Sequence, residues 1–225
     1  GPSWGPESGL DRRIDRHDDE GAAAVEFALV AILLISLLLG IIEFTLLLRD
    51  NVSVSSAVRT GARIASAEAG AGPGTCPTGA NPPPCTPANV PKLAQDAADA
   101  IQKAGTAMPQ DNIDEIWVYK SNASGFPGSA TTMAGATCGT NCVVYRWNTS
   151  SNKFQYASGS WASTSIAACV GSSDSVGVIM KATHRYLFGL FGTTQAMADR
   201  AVMQFEPLST DSCQANKPIG GGGHP

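Results

Sequence analysis

The uninterrupted apolar run from Phe27 to Leu48, FALVAILLISLLLGIIEFTLLL, constrains this chain more than any other feature. At about 1.5 Å per residue a helix of this length spans roughly 33 Å, enough to cross the hydrocarbon core of a bilayer. Its one charge, Glu43, lies near the C-terminal end, where an acid can snorkel to the headgroups. A cleaved secretory signal would have a core of only about 7–15 residues with a small-residue site close behind it. The nearest such site here, Ala65-Ser66-Ala67, stands far past the end of the run. The run therefore predicts a retained membrane span.

The flanks set an expected orientation. Arg12, Arg13 and Arg16 precede the run, among Glu7, Asp11, Asp15, Asp18, Asp19 and Glu20, and Arg49 follows it. The excess of arginine on the N-terminal side weakly favours an N-terminus inside the cell. All six cysteines, Cys76, Cys85, Cys138, Cys142, Cys169 and Cys213, come after the run. An even number on one side of a span reads as disulfides in an oxidising compartment, which gives the same orientation. With 43% hydrophobic and 15% charged residues, the chain as a whole is apolar enough to fold. A net charge of −4 gives no basic surface for nucleic acid.

The helix is expected to continue past Leu48. Residues 49–69 contain no proline, and Val54, Val58, Ala62 and Ala65 recur at helical spacing, with Arg59 and Arg63 on another face. Gly70, Gly72, Pro73 and Gly74 then break it. The expectation is one helix over 22–69, apolar all round in its first half and amphipathic in its second.

Immediately before the run stands Gly21-Ala22-Ala23-Ala24-Val25-Glu26-Phe27, which follows the acidic Asp18-Asp19-Glu20. A carboxylate at the edge of a span is expensive to bury unless it is paired. Glu26 alone could be a snorkelling acid favoured by the helix dipole. Cleavage after Gly21 would instead give Ala22 a new ammonium group, able to neutralise Glu26 of an axially shifted neighbour.

These residues resemble a type IV prepilin leader, and GAAAVEFALVAILLISLLLGIIEF more narrowly resembles the TadE-like minor pilins of the tight-adherence (Tad) pilus system. Ala57-Val58-Arg59-Thr60-Gly61-Ala62-Arg63 is similar to that family's pattern of small residues and arginines, and VGVIMKATHRYLF and ADRAVMQFEP look like its closing strands. The resemblance implies processing between Gly21 and Ala22 by a prepilin peptidase, with Glu26 and Phe27 at the fifth and sixth mature positions and Glu26 acting in assembly. It also implies a bacterial cytoplasmic membrane, other pilins and assembly proteins as partners, and a place in an extracellular pilus. The departure is size. A major pilin of this system is short and nearly all helix, so the long C-terminal region implies a minor pilin or pseudopilin.

Beyond the helix the sequence predicts an α+β domain over 70–215 with an antiparallel sheet, followed by a tail over 216–225; residues 1–21 read as a cytoplasmic leader. Residues 70–91 are a Gly/Pro-rich loop. In 90–104, Val90, Leu93, Ala94, Ala97, Ala98, Ile101 and Ala104 form one helical face. Ile113–Tyr119, Val143–Trp147, Lys153–Tyr156, Val176–Tyr186 and Met197–Phe205 read as strands, and 121–141 as a long surface loop. Helices followed by a run of strands give an α+β order. The connector Leu187–Gly192 either meets a membrane or partner, or packs under the sheet. Six cysteines admit many connectivities. Short separations favour Cys76–Cys85 and Cys138–Cys142, because closing a small loop costs little entropy, and leave Cys169–Cys213.

No catalytic constellation is present. His184 is the one histidine in the expected domain, and there is no H-E-x-x-H, G-x-S-x-G or Walker A sequence. Cys138 and Cys142 lack a second ligand pair, so neither metal nor cofactor is expected. Asn51, Asn122 and Asn148 fit N-x-S, a weak signal. A pilus subunit, an uncleaved single-pass anchored binding domain and a tethered enzyme remain, in that order.

Overall fold

The computed structural model describes residues 1, 11–76, 86–189 and 191–213. The chain forms two compact units, Gly1–Leu46 and Leu47–Pro225, and helix α1 (Asp11–Ala67) runs through both. The helix begins upstream of the expected start at Ala22, because neither proline nor glycine interrupts Asp11–Glu20 and Gly21 does not break it.

In the first unit most of the large apolar side chains from Val25 to Phe44 stand open, Phe27 at 74% exposure. The helix contains an 18-residue window of mean hydropathy 2.8, none of it buried, and by length and composition it can cross a membrane. Its hydroxyls are satisfied within the helix. Ser36 Oγ donates to the Leu33 carbonyl at 2.9 Å and Thr45 Oγ1 to the Ile41 carbonyl at 2.7 Å. Glu43 departs from expectation: it is fully buried, where a snorkelling acid would be open. It shares its face of the helix with half-buried Leu39, Gly40 and Leu46.

The second unit is α+β. The last turns of α1 and helix α2 (Lys92–Ala104) lie together through small residues. Gly61 is buried, and a Cβ placed there would come within 2.7 Å of Ile101 Cδ1. Ala57, Ala62 and Ala65 of α1 join Leu93, Ala94, Ala97, Ala98 and Ile101 of α2 in one core, while Ala104 is exposed. Gly105 ends α2 at φ 76°, in the left-handed region that glycine adopts without strain.

Strands β1 (Ile113–Lys120), β2 (Cys142–Asn148), β3 (Lys153–Ser160), β6 (Ser175–Arg185) and β7 (Thr194–Gln204) form one antiparallel sheet in the order β3-β2-β1-β6-β7. A small hairpin of β4 (Ala168–Cys169) and β5 (Ser172–Ser173) precedes β6. Side-chain alternation divides the sheet. Ile116, Val118, Val143, Tyr145, Val176, Val178 and Met180 join the helical core. Trp117, Tyr119, Cys142, Val144 and Ile179 belong to a second cluster with Phe126 and Ala136.

That second cluster adds to the surface-loop reading of 121–141: most of the segment lies on the outside, while Phe126 and Ala136 cover apolar sheet surface. Asn122 shapes it: its side-chain Oδ1 accepts from the Ser124 and Phe126 amides, and its Nδ2 donates to the Gly128 and Ala130 carbonyls. The N-x-S reading of Asn122 thus falls on a side-chain nitrogen already engaged twice. Both of Cys138–Cys142 and Cys169–Cys213 are disulfides, with Cα separations of 5.3 and 4.7 Å. No cysteine among the described residues is free, and Cys85, the partner expected for Cys76, lies outside them.

Candidate functional site

The N-terminal segment carries its candidate residues on an unbroken, open helix. Gly21, Ala22, Glu26 and Phe27 are all exposed. Ala22 and Glu26 are four residues apart and therefore lie on one face, one turn from each other. Gly21 has no packing reason to be glycine, since a Cβ there would meet no atom within 4 Å. Its backbone is helical and needs no left-handed conformation. In an exposed helix, glycine is less stable than alanine by roughly 0.5–1 kcal/mol. The fold gains nothing from Gly21.

At the other end of the apolar run a polar clamp was not foreseen from the sequence. Asp50 and His184 are both buried, at 5% and 3% exposure, and His184 Nδ1 lies 2.7 Å from Asp50 Oδ2. An ionised carboxylate can only accept, so the ring N–H donates. Arg49 completes the group, its Nη2 3.1 Å from the other oxygen of Asp50. The His184 ring meets Tyr186 edge-on at 5.0 Å. A lone aspartate after an apolar run and a lone histidine near the end of an alternating strand carry no local signal for each other.

The remaining candidates do not converge. The two described disulfides lie in loop and strand-end positions. Among the described residues no three of His, Cys, Asp and Glu are grouped as a metal would need. An open groove of about 320 Å³ is lined by Gln110, Asp111, Trp147, Thr149 and Asn152, and another of about 260 Å³ by Lys120, Ser121, Asn122, Gly128, Thr140 and Asn141. The connector after β6 is open, with Leu187 and Phe191 each 67% exposed, so it does not pack under the sheet; Leu190 lies outside the described residues.

Residues 21–63 match the family described as TadE-like protein, so the candidate cleavage segment, the span and Gly61 all fall within the match. No curated protein and no solved structure gives a match to the chain. The matched segment coincides with the helix that is long and apolar enough to cross a membrane.

Proposed function

We propose that this chain, TadE-like over its N-terminal helix, is a minor pilin or pseudopilin of a Tad-type pilus, cleaved after Gly21 by a prepilin peptidase. The observation that carries the reading is Gly21 itself: an open glycine within a helix, required by neither packing nor backbone conformation, one residue before a small-residue stretch that leads to Glu26. A peptidase that must bring the backbone into its site supplies the missing reason for a residue without a side chain. In the membrane the span sits with its N-terminus inside and the disulfide-bonded domain outside. In a pilus or assembly complex the Phe27–Leu48 surface meets other pilus components in place of lipid.

Cleavage frees an ammonium at Ala22, and that charge pairs with Glu26 of a neighbouring subunit. The apolar surface supplies cohesion and the ion pair supplies register, because greasy surfaces slide and an unpaired charge among them costs several kcal/mol. N-terminal sequencing of the chain from membranes that contain the peptidase tests the reading. The expected mature chain begins at Ala22, and Gly21→Leu retains the leader. A chain that still begins upstream of Gly21 overturns the pilin reading and leaves an uncleaved, anchored domain.

A further inference from the structure

The β6–β7 hairpin ends in an uncharged, apolar tip. From Tyr186 to Ala198 no residue is charged. Leu187 and Phe191 are each 67% exposed and Phe188 is 47% exposed. The hairpin holds its register up to the tip, with Arg185 opposite Thr194 and the Tyr186 amide bonded to the Thr193 carbonyl at 3.1 Å. The apolar side chains are thus presented at the end of a paired ribbon.

Two hydrogen bonds fix which way that ribbon points. The Glu206 amide, just past β7, donates to the Ser66 carbonyl at 2.9 Å. At the opposite end of the hairpin, His184 is bonded to Asp50. Strand β6 therefore runs against α1, from the level of Ser66 to the level of Asp50. The tip continues in the same direction for two to three more residues, roughly 7–10 Å beyond His184. Asp50 stands two residues after Leu48, the last residue of the apolar run, a rise of only about 3 Å. The tip thus passes the level at which the apolar run ends.

We infer that this tip, through Leu187, Phe188 and Phe191, is a second membrane contact that inserts into the headgroup–acyl boundary of the bilayer beside the exit of α1. The surrounding residues suit that depth. Tyr186, 5.0 Å from His184 and 6.4 Å from Phe191, is an aromatic with a polar end, the type enriched at membrane interfaces. Arg49 and Arg185, both exposed, stand at the base of the tip, Arg49 also held by Asp50 and Arg185 by Asn112 Oδ1 at 3.2 Å. An exposed apolar cluster in solution is a liability, and a bilayer already present at this level removes it. The inference rests on the span lying in a bilayer and is independent of cleavage after Gly21.

The test uses the full chain in phosphatidylcholine vesicles brominated either near the headgroup or deep in the acyl chain. Phe191→Trp places a reporter in the tip, read as the difference from the parent chain, which contains Trp4, Trp117, Trp147 and Trp161. Val170→Trp, at an 82% exposed position in the β4–β5 hairpin near the Ser66 end, is the comparison site. Resistance to carbonate extraction verifies insertion in the same vesicles. The Phe191→Trp emission shifts to the blue and is quenched more by the shallow than by the deep bromines, and the Val170→Trp emission stays water-like and unquenched. An inserted chain whose Phe191→Trp emission is water-like overturns the inference. So does a blue shift without quenching, which means that protein covers the tip. A chain that fails to insert overturns the span itself.

Discussion

His184 Nδ1 and Asp50 Oδ2 lie 2.7 Å apart although 134 residues separate them in the chain. The pair ties the end of β6 to α1 just past the apolar run, and both partners are buried. Removing His184 leaves Asp50 Oδ2 without its donor while Arg49 keeps the other oxygen, and removing Asp50 leaves the buried ring without its acceptor; buried polar atoms without partners are expensive. His184→Ala is expected to destabilise the domain by about 3 kcal/mol. The double change Asp50→Leu with His184→Leu should cost clearly less than the sum of its two single changes, by about 1–3 kcal/mol. Denaturant unfolding of the four proteins in mild detergent provides the cycle, and additive effects would show that the two residues are not coupled.

Glu26→Ala is expected to leave membrane insertion and leader cleavage nearly intact while lowering incorporation with partner pilins. Glu43→Ala should lower it less. Co-purification of each variant with the pilus or its assembly complex gives the measurement. Equal recovery of Glu26→Ala and the parent chain would remove the proposed ion pair.

Loop closure ranks the two described disulfides. In the chain-entropy account, the Cys169–Cys213 link, with a separation of 44, stabilises by about 4 kcal/mol, and Cys138–Cys142, with a separation of 4, by about 2 kcal/mol. Replacing the first pair by serine should therefore lower the melting temperature more than replacing the second. The reverse order in thermal unfolding would mean that the loop held by Cys138 carries more of the fold than its size implies.

Acid sensitivity is expected to have an identifiable contributor in Glu115. Burial alone would raise its carboxyl, but hydrogen bonds from Arg146 and Trp117 outweigh burial and hold it below its ordinary 4.5. The folded state thus favours the ionised group. Its contribution is complete above the unfolded value and disappears as pH falls through the folded value. Thermal unfolding scanned downward from pH 6 should show a shallower acid decline for Glu115→Gln than for the parent below about pH 4.5. Parallel declines would assign the acid loss to other carboxylates.

Much of this architecture is written in local pattern. The period-3.6 face of α2, the alternation in Val176–Tyr186 and the length of the apolar run each point to an element that the structure contains. Gly21 and Glu26 enter the proposal from the same kind of pattern, their distance along the chain from one hydrophobic segment. What the sequence hides is pairing at long range. Nothing near Asp50 announces His184, and nothing in the Gly/Ser-rich stretch 121–141 shows that Phe126 and Ala136 cover Trp117 and Tyr119. The burial of Glu43 is equally silent, since its immediate sequence reads like that of any acid near the end of a span.

The Cys169–Cys213 bond also decides how the molecule bears load. A chain held through α1 and pulled beyond Cys213 transmits tension along the shortest covalent path, which leaves the backbone at Cys169 and crosses directly to Cys213. Residues 170–212, and with them β6, β7 and the tip between them, lie off that path. Strands β1 to β3 are the ones that must resist in series, so under force the half of the sheet clamped to Asp50 is mechanically sheltered by a single sulfur–sulfur bond.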